Sequence, residues 1–551
     1  MSANATNQKQ ARGASAFVAL GILLSRVSGL IRDRVFAHYL GNSVAAGAFR
    51  AALRIPNFLQ NLFGEGVLSA SFIPVYSKLR SREDEETARK VAAVIGSVLA
   101  VVMSVLVLLG VLTTPWLVDL VAPGFQGDAR VLTIRIVRIL FPGVGLLVLS
   151  AWCLGILNSH RRFFLSYVAP VFWNAAMIVT LVAFGGRHSQ NQLAIDVAWG
   201  SVAGSFLQLG VQLPFVFQSA GKLRPMFDLA LKPVREVLHG VVPVFVSRGV
   251  VQLSAYIDAM IASYLGTAAV ASIAYAQTLY LLPISLFGMS VAAAELPEMS
   301  VVGATSDEAR TRLRQRLIAG RRGIAFFVIP SATAFLFVGH SVVAAIYQTG
   351  AFGPEDTLFV WYILMGSVVG LLAATWGRLY SSAFYALGDT KTPLKFAIVR
   401  VSLTIALGLL FAFPLRPLIV SLFQSVPGLR LPRLEHIDLG LGAVGLTASA
   451  GLAGWIEFLL LRFSLKKRIG SADIPLGFIS RVWAAALIAA LAALLAERFA
   501  FAGGARTLKL FRYNLEPLAI LAVFGVIYLI AALLLRIEET KTIARRLRMT
   551  R

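Results

Sequence analysis

One cysteine serves the whole chain of 551 residues. Cys153 lies inside an apolar run and has no partner, which excludes a disulfide framework and a cysteine-based metal site; it reads as a small core residue. Acids are scarce as well, 27 Asp and Glu against 51 Lys and Arg, and charged residues make up only 14% of the chain. The six histidines show no His-Glu-x-x-His spacing, and no glycine-rich loop ends in Lys-Ser or Lys-Thr. Neither a zinc protease nor a phosphate-cradling ATPase is therefore encoded. No catalytic residue, metal ligand or cofactor site emerges from the residues.

What is present is apolar surface. Hydrophobic residues reach 58% and the mean hydropathy is +0.77, which no water-soluble globule sustains. The chain reads as an all-α polytopic membrane protein. Apolar runs of about 20 residues, long enough to cross a bilayer, recur to give about 14 transmembrane helices, at 14–40, 45–77, 88–121, 129–158, 162–185, 193–218, 232–265, 269–299, 312–346, 357–386, 392–415, 437–464, 474–500 and 515–537. The polar start "MSANATNQKQARGAS" leads into a long span without a small-residue cleavage site, so the first helix is expected to be retained.

Basic residues stay on the cytoplasmic side of a membrane. Even-numbered connections such as "SKLRSREDEETARK", "NSHRRF" and "LGDTKTPLK" are basic, whereas odd-numbered ones such as "GNSVAAGAF" and "YQTGAFGPEDT" carry almost no basic residues. Both termini are thus expected in the cytoplasm. Two late external connections, "LRPLIVSLFQSVPGLRLPRLEH" and "ERFAFAGGARTLKLFRYN", break the pattern where the rule weakens. The net charge of +24 is mainly a topology signal and an attraction to anionic phospholipid heads. The basic residues are spread over loops with no reading motif, so no nucleic-acid partner is expected.

An internal repeat organises the chain. "DRVFAHYLG" from Asp33 is echoed by "DAMIASYLG" from Asp258, Ser25-Arg26 by Ser247-Arg248, and "ILFPGVGLL" at 139 by "ILMGSVVGLL" at 363. Pro56, Phe63-Gly64 and Pro74 have counterparts in Pro283, Phe287-Gly288 and Pro297. Six spans separate the copies, so they share one orientation, a parallel repeat related by an axis along the membrane normal. The expected parsing is a tail at 1–13, a six-helix lobe at 14–218, a cytoplasmic linker at 219–231, a second six-helix lobe at 232–464, two C-terminal helices within 465–540, and a basic tail at 541–551. A central cavity between the lobes follows by analogy with other repeat transporters.

Charges inside these spans are the candidate functional residues, because an arginine near a helix centre costs about 2.5 to 3.5 kcal/mol on insertion scales and so seeks a cavity or a partner. The first span carries Arg26, Arg32, Asp33 and Arg34; the second Arg50, Arg54 and Glu65; the seventh Arg248, Gln252 and Asp258. Internal pairing would neutralise two arginines of the first two spans with Asp33 and Glu65, and Arg34 or Arg50 could snorkel to an interface. Five arginines against two acids still leave a surplus of three positive charges. Guanidinium forks match phosphate oxygens, so Arg26, Arg32, Arg34, Arg54 and Arg248 are the candidate contacts for a phosphate or pyrophosphate ligand. Asp33, Glu65 and Asp258 are charge partners or gating residues. Arg32 and Arg34 are peculiar to the first copy, and the phosphate reading is sharpest at Arg32 and weakest at Arg34. "LFGEGVLSASFIP", with two glycines and a proline inside a span, is read equally as a tight-packing kink and as a hinge.

"SRVSGLIRD", "RIPNFLQNLFGEGVLSASFIPVYSK", "FYALGDTKTPLKFAI" and "GLGAVGLTASAGLAGW" together resemble the MurJ (MviN) family of the multidrug/oligosaccharidyl-lipid/polysaccharide (MOP) exporter superfamily, over nearly the whole chain. The resemblance implies a transporter rather than an enzyme, a flippase for lipid II in the bacterial cytoplasmic membrane that feeds peptidoglycan synthesis, with lipid II and the synthesis machinery as partners. It assigns the family's cavity charges to Arg26, Arg32 and Asp33 and its second-helix glutamate to Glu65. Departures stand at Gly47, where the family commonly has an aspartate, at Gln60 and Asn61, where it has basic residues, and at Thr278, where it often has a base. They leave room for another polyprenyl-pyrophosphate-linked oligosaccharide. "FAIVRVSLTIALGLLFAF" lacks the acid of the sodium-type site reported for some relatives, leaving Glu457 as the nearest carboxylate; coupling to an ion or to the membrane potential stays open. A drug or cation antiporter of the same superfamily would want acids, not arginines, in its cavity. The two C-terminal helices are expected to offer a groove to the polyprenyl tail.

Overall fold

The structure, a computed structural model, describes residues 2–289, 307–425, 437–501, 509–510 and 513–540. Within these, side chains at 2–19, at Glu65 and at 242–255 lie outside the described residues, as does the expected repeat partner Pro297. In the first part of the chain the helices are α1 (Ser2–Leu40), α2 (Val44–Phe63), α3 (Glu65–Ser81), α4 (Glu85–Leu112), α5 (Thr114–Val121), α6 (Gly127–Ser159), α7 (Phe163–Phe184), α8 (Gln190–Ala220), α9 (Lys232–Tyr264) and α10 (Thr267–Pro283). After a π-helical turn at Ile284–Met289 follow α11 (Asp307–Phe337), α12 (Gly339–Tyr347), α13 (Pro354–Val368), α14 (Leu371–Ala386), α15 (Lys391–Ala412) and α16 (Arg416–Ser425). Then come α17 (Ile437–Gly440), α18 (Gly442–Ile469), α19 (Leu476–Ala496) and α20 (Glu516–Leu534), with a two-residue antiparallel pairing of Lys509–Leu510 and Tyr513–Asn514.

Among the described residues each expected span falls on helix; 290–299 of the eighth lies outside them. Among the described residues nine helices are long and apolar enough to cross a membrane, and up to eleven if two bent pairs each make one span. The pairs are Arg310–Phe337 with Gly339–Tyr347, bent by 85°, and Pro354–Val368 with Leu371–Ala386, bent by 43°. The remaining expected spans correspond to α1, to α2 with α3, and to α9. Those are the segments that carry the singled-out arginines and acids, or whose side chains fall outside the description.

The chain forms two compact units, Met1–Ala271 and Ser272–Arg551. The sequence repeat puts the start of its second copy at 232, and α9 packs on α3 and α2 within the first unit. A sequence repeat and a packing unit are thus different divisions of this chain. In the first unit α6 packs on α8, α2 and α3, and α7 bridges α1 and α8. Its core joins Phe72, Tyr76, Val91, Ile95, Trp152, Ile156 and Val216, and Cys153 sits among them fully buried. In the second unit α18 carries α15, α13 and α14, and the C-terminal pair α19 and α20 packs on itself and on α11 and α12. Arg322 fastens that pair by ion pairs to Glu538 and Glu539, each at 2.8 Å. Beside it Arg321, 4% exposed, lies 4.7 Å over the Trp376 ring and donates to the Ala472 carbonyl at 2.7 Å.

Local chemistry sets the breaks. Ser43 caps α2 by accepting the Ala46 N–H, and Asp84 caps α4 by accepting that of Thr87. The second span breaks at Gly64, whose N–H donates to the Gln60 carbonyl at 2.8 Å; a Cβ there would stand 2.2 Å from that oxygen. Both repeat copies stop their helix on a left-handed glycine, Gly41 at φ 55° and Gly266 at φ 100°. The shared Tyr-Leu-Gly is therefore a helix terminator.

Candidate functional site

The charges of α1 and α2 converge on Asp33, which is 4% exposed. Arg32 donates to its Oδ1 from Nη2 at 2.9 Å and from Nε at 3.2 Å, and Arg50 reaches the same oxygen from α2 at 3.2 Å. The third edge of Arg32, Nη1, donates to Asn174 Oδ1 on α7 at 3.0 Å, and its guanidinium lies 5.0 Å over the Trp173 ring. Asn174 donates in turn to Ser28 one helical turn earlier on α1, at 2.9 Å. Trp173 is held by its Nε1–H to Ser201 on α8 at 3.1 Å, and Arg50 rests 4.6 Å over Phe36. Two guanidinium groups on one buried carboxylate leave this core with a formal charge of +1.

Six residues before Arg32, Arg26 is exposed on α1 and makes no hydrogen bond or ion pair among the described residues. Arg34 is half-buried. Arg54, half-buried on α2, has Asp258 of α9 as its nearest opposite charge, and its carbonyl accepts the Tyr256 hydroxyl at 2.7 Å. Tyr256 stands edge-on to Phe58, with ring centroids 5.3 Å apart. The first unit thus brings Arg26, Arg32, Asp33, Arg34, Arg54 and Asp258 onto three helices. Glu65 begins α3 and Arg248 lies on α9; the side chains of both are outside the described residues.

Arg32, the sharpest candidate by sequence, has three of its nitrogens engaged by protein groups, and the exposed guanidinium is that of Arg26. Trp173 and Asn174 were missed as members of the cluster. A signal was present: an asparagine inside the apolar run "VAPVFWNAAMIV" must find a partner in a membrane. Gly47, one of the departures noted above, has a structural reason: a Cβ there would lie 2.3 Å from the Thr267 carbonyl oxygen. No aspartate fits at that contact. In the second unit Glu457 forms an ion pair with Arg400 at 3.2 Å, and Thr278 returns its hydroxyl to the Ala274 carbonyl at 3.1 Å.

The family model described as lipid II flippase MurJ matches residues 36–431. The lipid II flippase MurJ of Burkholderia cenocepacia is 31% identical over 452 residues, covering 81% of this chain and 82% of that one. The probable lipid II flippase MurJ of Rhizobium meliloti is 30% identical over 460 residues, covering 82% and 80%. Among solved structures, a lipid II flippase MurJ in an inward closed conformation shares the fold with a TM-score of 0.74 at 23% identity, over 94% of this chain and 98% of that one. An inward-facing multidrug resistance MATE family transporter of the MOP superfamily shares it more loosely, with a TM-score of 0.58 at 18% identity over 82% and 99%. A family match over residues 36–431, and relatives aligned over four fifths of their length, place this chain in the MurJ family.

Proposed function

We infer that this protein is a lipid II flippase, moving the undecaprenyl-pyrophosphate-linked peptidoglycan precursor from the cytoplasmic to the periplasmic leaflet of the bacterial inner membrane by alternating access. The observation that carries the reading is the arginine surplus of α1 and α2 within a chain of this family. Formally, the six arginines Arg26, Arg32, Arg34, Arg50, Arg54 and Arg248 stand against Asp33, Glu65 and Asp258, leaving a surplus of three positive charges for an anion. Arg26 leads as the pyrophosphate contact, because its guanidinium is exposed, with Arg34, Arg54 and Arg248 supporting it. Arg32 and Asp33 act chiefly by holding α1 on α7 and α2. The C-terminal pair α19 and α20 is assigned to the polyprenyl tail, and Glu65 and Asp258 to partnering or gating.

Drive comes from the membrane potential in this reading. An inside-negative potential favours outward movement of negative charge, and two charges moved across 100 mV gain about 4.6 kcal/mol. Arg400 on Glu457 already supplies a cation to that carboxylate, which agrees with transport that needs no metal ion there. Both termini are assigned to the cytoplasm from the distribution of Lys and Arg. A different polyprenyl-pyrophosphate oligosaccharide is the second reading, favoured by the contact at Gly47 that admits no family aspartate.

Depleting the protein in its host and measuring which leaflet labelled lipid II occupies tests the function directly. Loss of externally accessible lipid II is expected. Normal external lipid II, with no related flippase compensating, would overturn it.

A further inference from the structure

Away from the arginine cluster, the first unit holds a polar cavity of about 320 Å³ where four helices end. It lies between the end of α3 (Tyr76, Arg80), the first turns of α4 (Glu85, Arg89), the cap of α6 (His160) and the end of α8 (Ser219 to Gly221). Its volume falls at the lower end of small-ligand sites, which span about 300 to 1,000 Å³. Because these are the ends of membrane-spanning segments, the cavity stands at headgroup depth rather than in the hydrocarbon.

The lining carries both signs. Arg80 donates from Nη1 to the Ser159 carbonyl at 2.5 Å, which holds one edge of its guanidinium and leaves the others without a protein acceptor among the described residues. Arg89 is exposed, forms no hydrogen bond or ion pair among the described residues, and lies along Gly221, a left-handed glycine at φ 76° with no side chain to obstruct it. Ser219 contributes a buried hydroxyl that has no partner among the described residues. On the acidic side, Glu86 is paired with Lys90 at 2.7 Å, while Glu85 is exposed with no ion pair among the described residues. His160 accepts or donates to the Tyr76 hydroxyl at 3.1 Å, and burial, reinforced by Arg80 and Arg162, pushes its ring down to about 4. It is neutral at pH 7, so the positive charge of the cavity is that of its guanidinium groups.

Two guanidinium forks and an orphan hydroxyl suit a phosphate; a free carboxylate one helical turn away repels a purely anionic ligand and suits an ammonium. We propose that this cavity binds the phosphoethanolamine headgroup of a membrane phospholipid, with its phosphate on Arg80, Arg89 and Ser219 and its ammonium on Glu85. A choline headgroup fits worse: its quaternary nitrogen has no N–H to donate to Glu85, and the lining offers the Tyr76 ring and the small His160 imidazole rather than a cage. A glycerol headgroup has no cation for Glu85 at all. This site does not depend on the flippase reading and stands or falls separately from it.

The full-length protein, purified in detergent and mixed with equal amounts of phosphatidylethanolamine, phosphatidylglycerol and phosphatidylcholine, is examined by native mass spectrometry. Phosphatidylethanolamine is expected to be retained preferentially. Glu85→Gln should bring it to the level of phosphatidylglycerol, and Arg89→Ala should weaken retention of every phospholipid about fivefold, the loss of one partly exposed charge-assisted hydrogen bond. Both residues are exposed, so an unchanged melting temperature separates these effects from misfolding. Equal retention of the three lipids, preference for phosphatidylglycerol, or a preference for phosphatidylethanolamine that survives both substitutions would overturn the proposal.

Discussion

Arg26 and Arg32 lie six positions apart on one helix and differ in what surrounds them. Arg32 spends three nitrogens on Asp33 and Asn174, and Arg26 spends none on described protein groups. Removing one partner of a buried ion pair leaves an uncompensated charge and costs about 3 to 5 kcal/mol. Asp33→Asn, which removes the carboxylate that Arg32 and Arg50 share, should therefore lower the melting temperature of the purified protein strongly. Arg26→Ala should leave that temperature unchanged while abolishing complementation; full complementation at normal expression would return Arg26 to a passive role. Gly47 gives a second residue-scale contrast. Gly47→Ala drives a methyl into the Thr267 carbonyl and should destabilise by about 1 to 3 kcal/mol, while Gly210→Ala, where a Cβ meets nothing within 4 Å, should stabilise by about 0.5 to 1 kcal/mol. Thermal unfolding of the two variants reads the difference.

At the scale of elements, a turn on the basic side of the spans is fastened by side chains. Asp389, in the turn between α14 and α15, accepts the Lys391 and Thr392 N–H groups at 3.0 and 2.9 Å and the Arg468 guanidinium of α18 at 2.6 Å. The Thr392 hydroxyl and N–H, then Arg468, hold its carboxyl down from 3.8 to about 2. A carboxyl with a depressed folded-state pKa stabilises above its unfolded value and loses that contribution as pH falls through the folded one. The melting temperature should thus drop as pH falls from 3.8 to about 2, and Asp389→Asn should flatten that part of the profile. "LGDTKTPLK" read from sequence as a topology anchor; the clasp with Arg468 adds a reason for its aspartate. Gly64 likewise sets the position of the break in "LFGEGVLSASFIP". Only the Gln60 carbonyl, one turn back, shows why a glycine stands there.

For the whole molecule, the distribution of basic loops assigns sides that labelling can check. The native cysteine, Cys153, is fully buried and should resist a membrane-impermeant maleimide. Against that silent background, Asn191→Cys should label from outside intact cells, and Ser81→Cys only after the membrane is opened. The reverse pattern would invert the topology.

Sequence alone determined the solvent, the helical class, the places of the spans, the repeat and the family, because each is written in quantities that sum along the chain: apolar run length, basic loops, a recurring Tyr-Leu-Gly, matched motifs. It also placed Arg26, Leu30 and Asp33 on one face of the first helix, with Arg32 and Arg34 flanking Asp33, since residues three and four apart share a face. Which guanidinium is consumed was decided by tertiary structure, because Asn174 lies 142 positions from Arg32 and Arg50 reaches Asp33 from another helix. Packing also assigned α9 to the first unit and left no room at Gly47. Hydrophobicity is local and can be read in order; the partner of a buried charge is set by which helices pack together.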